Sequence, residues 1–144
     1  MSDLKTTLNK HYPASPEAVF DAWTDPQGLG AWFSPMTTAS VPVLDLRVGG
    51  EFRIDMHGDG ENYVHTGKYL EVERPNRLVF TWISAGTNDQ ETVVTVEIAA
   101  DGEGAMLTLT HTGFPGEESR DNHQQGWSAI LEKFERVCAG SGTR

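Results

Sequence analysis

Residues 119–138, SRDNHQQGWSAILEKFERVC, carry apolar side chains at steps of three and four, the spacing of one face of an α-helix. Ser119 is typical of a helix N-cap, and Gly140 offers a left-handed stop after the last turn. Short β-like segments and a helical region precede this stretch, so a sheet is the expected partner of the apolar face. A long helix lying in a curved sheet encloses either a packed core or a pocket. The stripe consists of Trp127, Ile130, Leu131, Phe134, Val137 and Cys138.

The bulk composition narrows the class of protein. The 144 residues suffice for a single domain, 1–144, with a tail at 140–144 that we expect to be frayed. Eleven basic and twenty-one acidic residues give a formal charge of -10, which repels nucleic acid and anionic membrane surfaces. We therefore expect neither nucleic acid nor a membrane as a partner. Cys138 is the single cysteine and the N-terminus lacks a signal-peptide apolar run, which predicts a cytoplasmic protein.

The N-terminal third predicts a strand followed by two short helices. Residues 4–12 have the pattern of an edge strand that ends where Pro13 removes a backbone donor. Ser15 and Pro16 are the cap and first residue of a helix, and the pair Asp25-Pro26 ends it and starts a second one. The apolar residues of the second helical segment are Leu29, Trp32 and Phe33.

From residue 37 the apolar period changes to two, which predicts six further strands joined by short turns. Pro42 interrupts the first of them, and a bulge is expected near Gly67 because the inward face of residues 63–73 is ambiguous. Meandering strands with short turns favour one antiparallel sheet in an α+β fold. The clearest apolar faces are Phe52/Ile54/Met56, Leu78/Phe80/Trp82, Val94/Val96/Ile98 and Leu107/Leu109/His111.

Several sequence motifs, in their order along the chain, resemble those of one known family. They are SPEAVFDAWTDP at 15–26, DLRVGGEFRIDM at 45–56, HTGKYLEV at 65–72, RLVFTW at 77–82 and LTLTHTGF at 107–114. It is the activator-of-heat-shock-protein-ATPase-like family, within the START-like (SRPBCC, birch-pollen-allergen-like) superfamily. The resemblance implies a helix-grip fold. In it a curved antiparallel sheet of about six to seven strands wraps around a long C-terminal helix, two short helices follow the first strand and close one end, and a cavity lies between.

The resemblance leaves three functions open. The first is binding of an apolar or amphipathic small molecule in the cavity, by a monomer or weak dimer. The second is a protein-interaction module that acts through its surface, because co-chaperones of the family stimulate a chaperone's ATPase. The third is a cavity enzyme of cyclase or isomerase type, although an enzyme is the less favoured expectation.

Aromatic and histidine residues supply the candidate ligand-binding site, with the segment carrying Trp32 and Phe33 expected to close its mouth. The functional interpretation is an aromatic pocket in which a histidine such as His65 or His111 meets one polar group of an apolar ligand. The alternative is an ordinary aromatic core whose histidines bond to backbone carbonyls. The candidates are Trp32, Phe33, Met56, His65, Phe80, Trp82, His111, Phe114, His123, Trp127 and Ile130.

Metal, cofactor and nucleophile motifs do not emerge from the sequence. His65, His111 and His123 are not paired at the short spacing typical of zinc sites. The glycines follow neither a dinucleotide fingerprint nor a phosphate loop, and Cys138 has no basic neighbour that would activate it. We therefore expect no metal, no cofactor and no catalytic residue.

Overall fold

The computed structural model describes residues 4–34, 38–58 and 60–142, with side chains as far as Cys138. The strands and helices occur in the predicted order along the chain, and a 3-10 turn that was not predicted lies between the fifth and sixth strands. They are β1 (Lys5–Tyr12), α1 (Pro16–Trp23), α2 (Pro26–Trp32), β2 (Ala39–Leu44), β3 (Glu51–Gly58), β4 (Glu61–Glu73), β5 (Arg77–Trp82), the 3-10 turn (Ala85–Thr87), β6 (Thr92–Asp101), β7 (Gly104–Thr112) and α3 (Glu117–Gly142).

The strands form one curved antiparallel sheet in the order β1-β7-β6-β5-β4-β3-β2. Consecutive strands from β2 to β7 are neighbours, while β1 crosses to the far edge and pairs with β7. The edge position of β1 and the irregular pairing of β2 around Pro42 were both predicted. The α+β helix-grip architecture is therefore confirmed.

The two short helices begin where their caps predicted. The Ser15 hydroxyl accepts a hydrogen bond from the Ala18 amide at 3.1 Å, and Asp25 accepts one from the Gln27 amide at 3.1 Å. A proline follows each cap, where its missing N–H costs nothing and its fixed φ suits the helix. These local interactions determine where α1 and α2 begin.

The ends of α3 differ from the prediction. The helix begins at Glu117, so Ser119 lies within its first turn and is not the N-cap. Its hydroxyl instead donates to the Gly86 carbonyl at 2.6 Å, which ties the helix to the 3-10 turn. The backbone also remains helical through Gly140 to Gly142, since one glycine in a helix costs only about 1 kcal/mol relative to alanine.

The core lies between α3 and the concave face of the sheet. The helical stripe is buried as predicted, with one exception: Val137 is 37% exposed and lies at the margin. Phe134 packs edge-on against Tyr12 of β1 and contacts Trp32 of α2 at a ring separation of 4.4 Å. The stripe residues that are fully covered are Trp127, Ile130, Leu131, Phe134 and Cys138.

The ambiguity in β4 is resolved in favour of the face that carries His65 and Tyr69. Both are buried, whereas Val64 and Leu70 are exposed. The predicted irregularity occurs as a register shift between Tyr69 and Glu71. Among the described residues, no helix is long and apolar enough to span a bilayer.

Candidate ligand-binding cavity

A cavity of about 520 Å³ lies between α3 and the sheet. Buried side chains of β3, β4, β5, α3 and the residue before the 3-10 turn form its inner wall. Exposed residues of β4, α3 and the 3-10 turn with the loop after it form its rim. The wall residues are Met56, His65, Trp82, Ser84, Trp127 and Ile130, with His123 and Gly126 half-buried beside them. The rim residues are Asn62, Tyr63, Val64, Ala85, Gly86, Asp89 and Asn122.

Six of the eleven predicted residues line this cavity and five lie elsewhere. Phe33 and Phe80 border a separate void of about 10 Å³, too small to hold more than a single water. Trp32 packs into the aromatic cluster with Trp23 and Phe134. Phe114 is fully buried against the ring of His111, behind the wall.

The mouth of the cavity is not where the sequence predicted it. Trp32 and Phe33 of the α2 segment contribute no lining; Phe33 instead supports the wall from behind, with ring separations of 6.1 Å to Trp82 and 5.7 Å to Trp127. The opening lies between β4, the 3-10 turn and α3. The rim residues of the 3-10 turn, Ala85 and Gly86, were not predicted from the sequence, because turn positions show no apolar period.

His111 lies behind the cavity wall in a series of hydrogen bonds that runs from Trp127 to the backbone of Trp82. Trp127 donates its Nε1–H to Nδ1 of His111 at 3.0 Å, so the proton of the neutral ring must be on Nε2. That Nε2–H donates to the Thr92 hydroxyl at 2.7 Å, and Thr92 donates to the Trp82 carbonyl at 2.6 Å. Both ring nitrogens are therefore occupied. His111 positions Trp127 rather than meeting a ligand.

His65 and His123 line the cavity and are held by backbone carbonyls. Nδ1 of His65 bonds to the Tyr63 carbonyl at 3.0 Å, and Nδ1 of His123 bonds to the Ser119 carbonyl at 2.8 Å. Because a carbonyl oxygen can only accept, each Nδ1 carries the proton and each Nε2 is an acceptor in the neutral ring. The His65 ring also lies 4.8 Å from Trp82, which fixes its plane on the wall.

Burial keeps these histidines uncharged. Loss of hydration lowers the pKa of His65 to about 4 and that of His111 to about 2, and the neighbouring His123 adds to both shifts. Burial also lowers the pKa of His123. At neutral pH the cavity therefore presents two neutral imidazoles.

The free energy of unfolding is expected to fall as the pH is lowered from 6.5 toward 4. In this window the unfolded chain binds protons at His65 and His111, whose ordinary pKa is about 6.5, while the folded protein does not. The contribution of these two histidines to the free energy of unfolding is thus fully present above pH 6.5. Below that pH, each histidine lowers the free energy of unfolding by up to about 1.4 kcal/mol per pH unit. Urea denaturation at pH 7.5, 6.0 and 5.0 measures the slope.

The His65→Phe variant should show a smaller slope than the wild type between pH 6.0 and 5.0. His11→Gln changes a half-exposed histidine far from the cavity and serves as the matched control. An unchanged slope in His65→Phe would mean that His65 is not held neutral by burial.

Within the described residues, no cluster of three or more His, Cys, Asp or Glu side chains is arranged to hold a metal ion. The groups of the cavity wall can contribute two kinds of interaction. Its aromatic and aliphatic surfaces can cover an apolar molecule, and its histidines can accept hydrogen bonds from it.

Comparison with known proteins places the fold and the family. The family described as Activator of Hsp90 ATPase homolog 1-like protein matches residues 13–139. Comparison with the curated proteins gave no match.

Solved bacterial structures cover nearly the whole chain. A protein from Chromobacterium violaceum has a TM-score of 0.86 and 25% identity over 93% of this chain and 96% of that one. The AHSA1 protein from Silicibacter pomeroyi has a TM-score of 0.81 and 26% identity over 96% of this chain and 99% of that one. The AHSA1-like protein from Aeromonas hydrophila has a TM-score of 0.80 and 26% identity over 98% of this chain and 96% of that one. The resemblance found in the sequence is confirmed, and this chain belongs to the Activator of Hsp90 ATPase homolog 1-like family.

Proposed function

We propose that this domain binds an apolar small molecule in the cavity between α3 and the sheet. One observation carries the proposal: a space of about 520 Å³ is walled by buried apolar side chains such as Trp82, Trp127 and Ile130. Pockets for small molecules measure about 300–1,000 Å³ and are mostly apolar with a few polar groups. Burial of apolar surface contributes about 25 cal/mol per Å², so such a wall favours a largely apolar ligand.

The arrangement of the cavity histidines supports binding rather than catalysis. A catalytic histidine is commonly oriented by a carboxylate that stabilises its charged form. His65 and His123 are oriented by the backbone carbonyls of Tyr63 and Ser119 instead. Burial depresses their pKa values further, which weakens them as bases at neutral pH.

The exposed apolar residues of the sheet give less support to a surface-docking function. Val43 and Val64 are 46% and 41% exposed on β2 and β4. Their direct partners on the intervening β3 are Arg53 and Asp55, which form an ion pair with each other at 2.8 Å. Charged side chains therefore separate these apolar residues, whereas docking surfaces are marked by contiguous apolar patches.

Filling the cavity is the direct test. Ile130→Trp places an indole in the open space, so we expect it to abolish binding of the neutral dye N-phenyl-1-naphthylamine. The free energy of unfolding should change by less than about 1 kcal/mol, because the added atoms enter a void rather than a packed core. Dye fluorescence and urea denaturation measure the two effects.

Ser128→Trp is the matched control, because Ser128 is an exposed residue of the same helix that faces an outer groove beside Leu8 and Glu132. It should bind the dye like the wild type. The proposal fails if the wild type does not bind the dye, or if Ile130→Trp binds it as well as Ser128→Trp does.

A further inference from the structure

The acceptor nitrogens of the two cavity histidines restrict the chemistry of a ligand. Within the described residues, the buried polar side-chain atoms that lack both a partner and solvent contact are Nε1 of Trp23 and Nε1 of Trp82. Nε2 of His65 and Nε2 of His123 are not among these sealed atoms, although each histidine uses Nδ1 for its backbone bond. Each ring therefore keeps Nε2 unused by its Nδ1 bond in a residue that lines the cavity, and the backbone of Ile54 also contacts the ring of His65.

The His123 ring occupies a defined place beside the 3-10 turn. A Cβ built on Gly86 would lie 3.1 Å from Cε1 and 3.5 Å from Nε2 of His123, so the ring packs against that turn. Ser119 holds the turn from the same helix through its bond to the Gly86 carbonyl. The orientation of this acceptor is thus set by the protein before a ligand arrives, which reduces the entropy lost on binding.

The charges around the cavity disfavour an anionic ligand. Among the residues that line it, all in the described part of the chain, Asp89 is the only one with a formal charge. At the rim, Tyr63 donates its hydroxyl hydrogen to Glu61 at 3.0 Å, which brings a second carboxylate close to the opening. Amides such as that of Asn122 can bond to a carboxylate but cannot balance its charge. Moving an unpaired charge into an apolar site is costly.

We propose, on the basis of the proposed binding function, that the ligand is an apolar molecule without negative charge whose hydroxyl group donates a hydrogen bond to Nε2 of His65 or His123. The apolar part lies against Trp82 and Trp127. A carboxylate in the same position would place acceptor against acceptor, and an ether would leave both nitrogens without a donor.

A matched series of eight-carbon ligands tests this assignment. 1-Octanol, its isomer heptyl methyl ether and octanoate are compared at pH 7.5 by displacement of N-phenyl-1-naphthylamine from the wild-type protein. We expect octanol to bind about five- to tenfold more tightly than the ether, the factor that one hydrogen bond supplies. Octanoate should bind at least about tenfold more weakly than octanol because its charge is desolvated without a cation.

The double variant His65→Phe/His123→Phe keeps both aromatic rings and removes both acceptors. In it the advantage of octanol over the ether should disappear, while the ether itself still displaces the dye. The inference is overturned if octanoate or the ether binds wild type as tightly as octanol, or if the advantage survives in the double variant. Failure of all three ligands and of the dye would instead contradict the proposed binding function itself. Should the double variant not fold, the wild-type comparison alone decides.

Discussion

Replacing Trp127 with alanine is expected to lower the free energy of unfolding by about 3–5 kcal/mol, the range for truncating a buried aromatic side chain. Trp127 is only 2% exposed, and its ring lies 5.2 Å from that of Trp82 and 5.7 Å from that of Phe33. Its removal enlarges the cavity and withdraws these contacts at once. It also leaves Nδ1 of His111 without its donor.

Trp127→Phe separates the packing from the hydrogen bond. The phenyl ring retains much of the contact with Trp82, but the N–H that bonds to His111 is lost, which should cost about 1–3 kcal/mol. Urea denaturation at pH 7.5 measures all three proteins. A loss below about 1 kcal/mol in Trp127→Ala would contradict the buried position of this side chain.

Gly67→Ala is expected to destabilise the protein by about 3 kcal/mol, the upper end of the usual range for overpacking. A Cβ at this position would lie 2.0 Å from the Thr81 carbonyl oxygen and 2.5 Å from Cζ of Phe52. The first of these atoms belongs to the backbone of β5 and cannot move without disturbing the sheet. The requirement for glycine is therefore one of space between β4, β5 and the core.

Gly116→Ala provides the control for this prediction. A Cβ on Gly116 meets nothing within 4 Å, so the substitution should cost at most about 1 kcal/mol, the disadvantage of alanine relative to glycine at a helix N-cap. Thermal and urea denaturation of the two variants give the comparison. Equal stability of both variants would mean that β4 and β5 lie further apart at Gly67 than the structure shows.

The secondary structure and the core-facing residues were predictable from the sequence because they depend on local periods. Ser15 and Asp25 cap their helices through atoms two or three residues away. A period of two selected the buried face of β6, and a period near four selected Trp127 and Phe134 on α3. One buried face per element is enough to choose between fold classes once the order of the elements is known.

Errors arose where a residue had a partner distant in sequence. Ser119 has the side chain of an N-cap, but its hydroxyl bonds to Gly86, 33 residues earlier. The sequence favoured His111 as a ligand-binding group, yet both its nitrogens are bonded to Trp127 and Thr92. Hydrogen bonds of this kind depend on which strands meet, and a local pattern does not record that.

The location of the cavity was decided by the tertiary structure alone. Phe33, Phe80 and Trp82 have the same apolar character in the sequence, and all three are buried. The first two enclose a void of about 10 Å³, whereas Trp82 faces a space of about 520 Å³. An apolar period determines that a side chain leaves bulk water, because that transfer is favourable whatever lies opposite. Whether it then meets another side chain or an open space depends on the curvature of the sheet and the distance to α3, which only the folded chain sets.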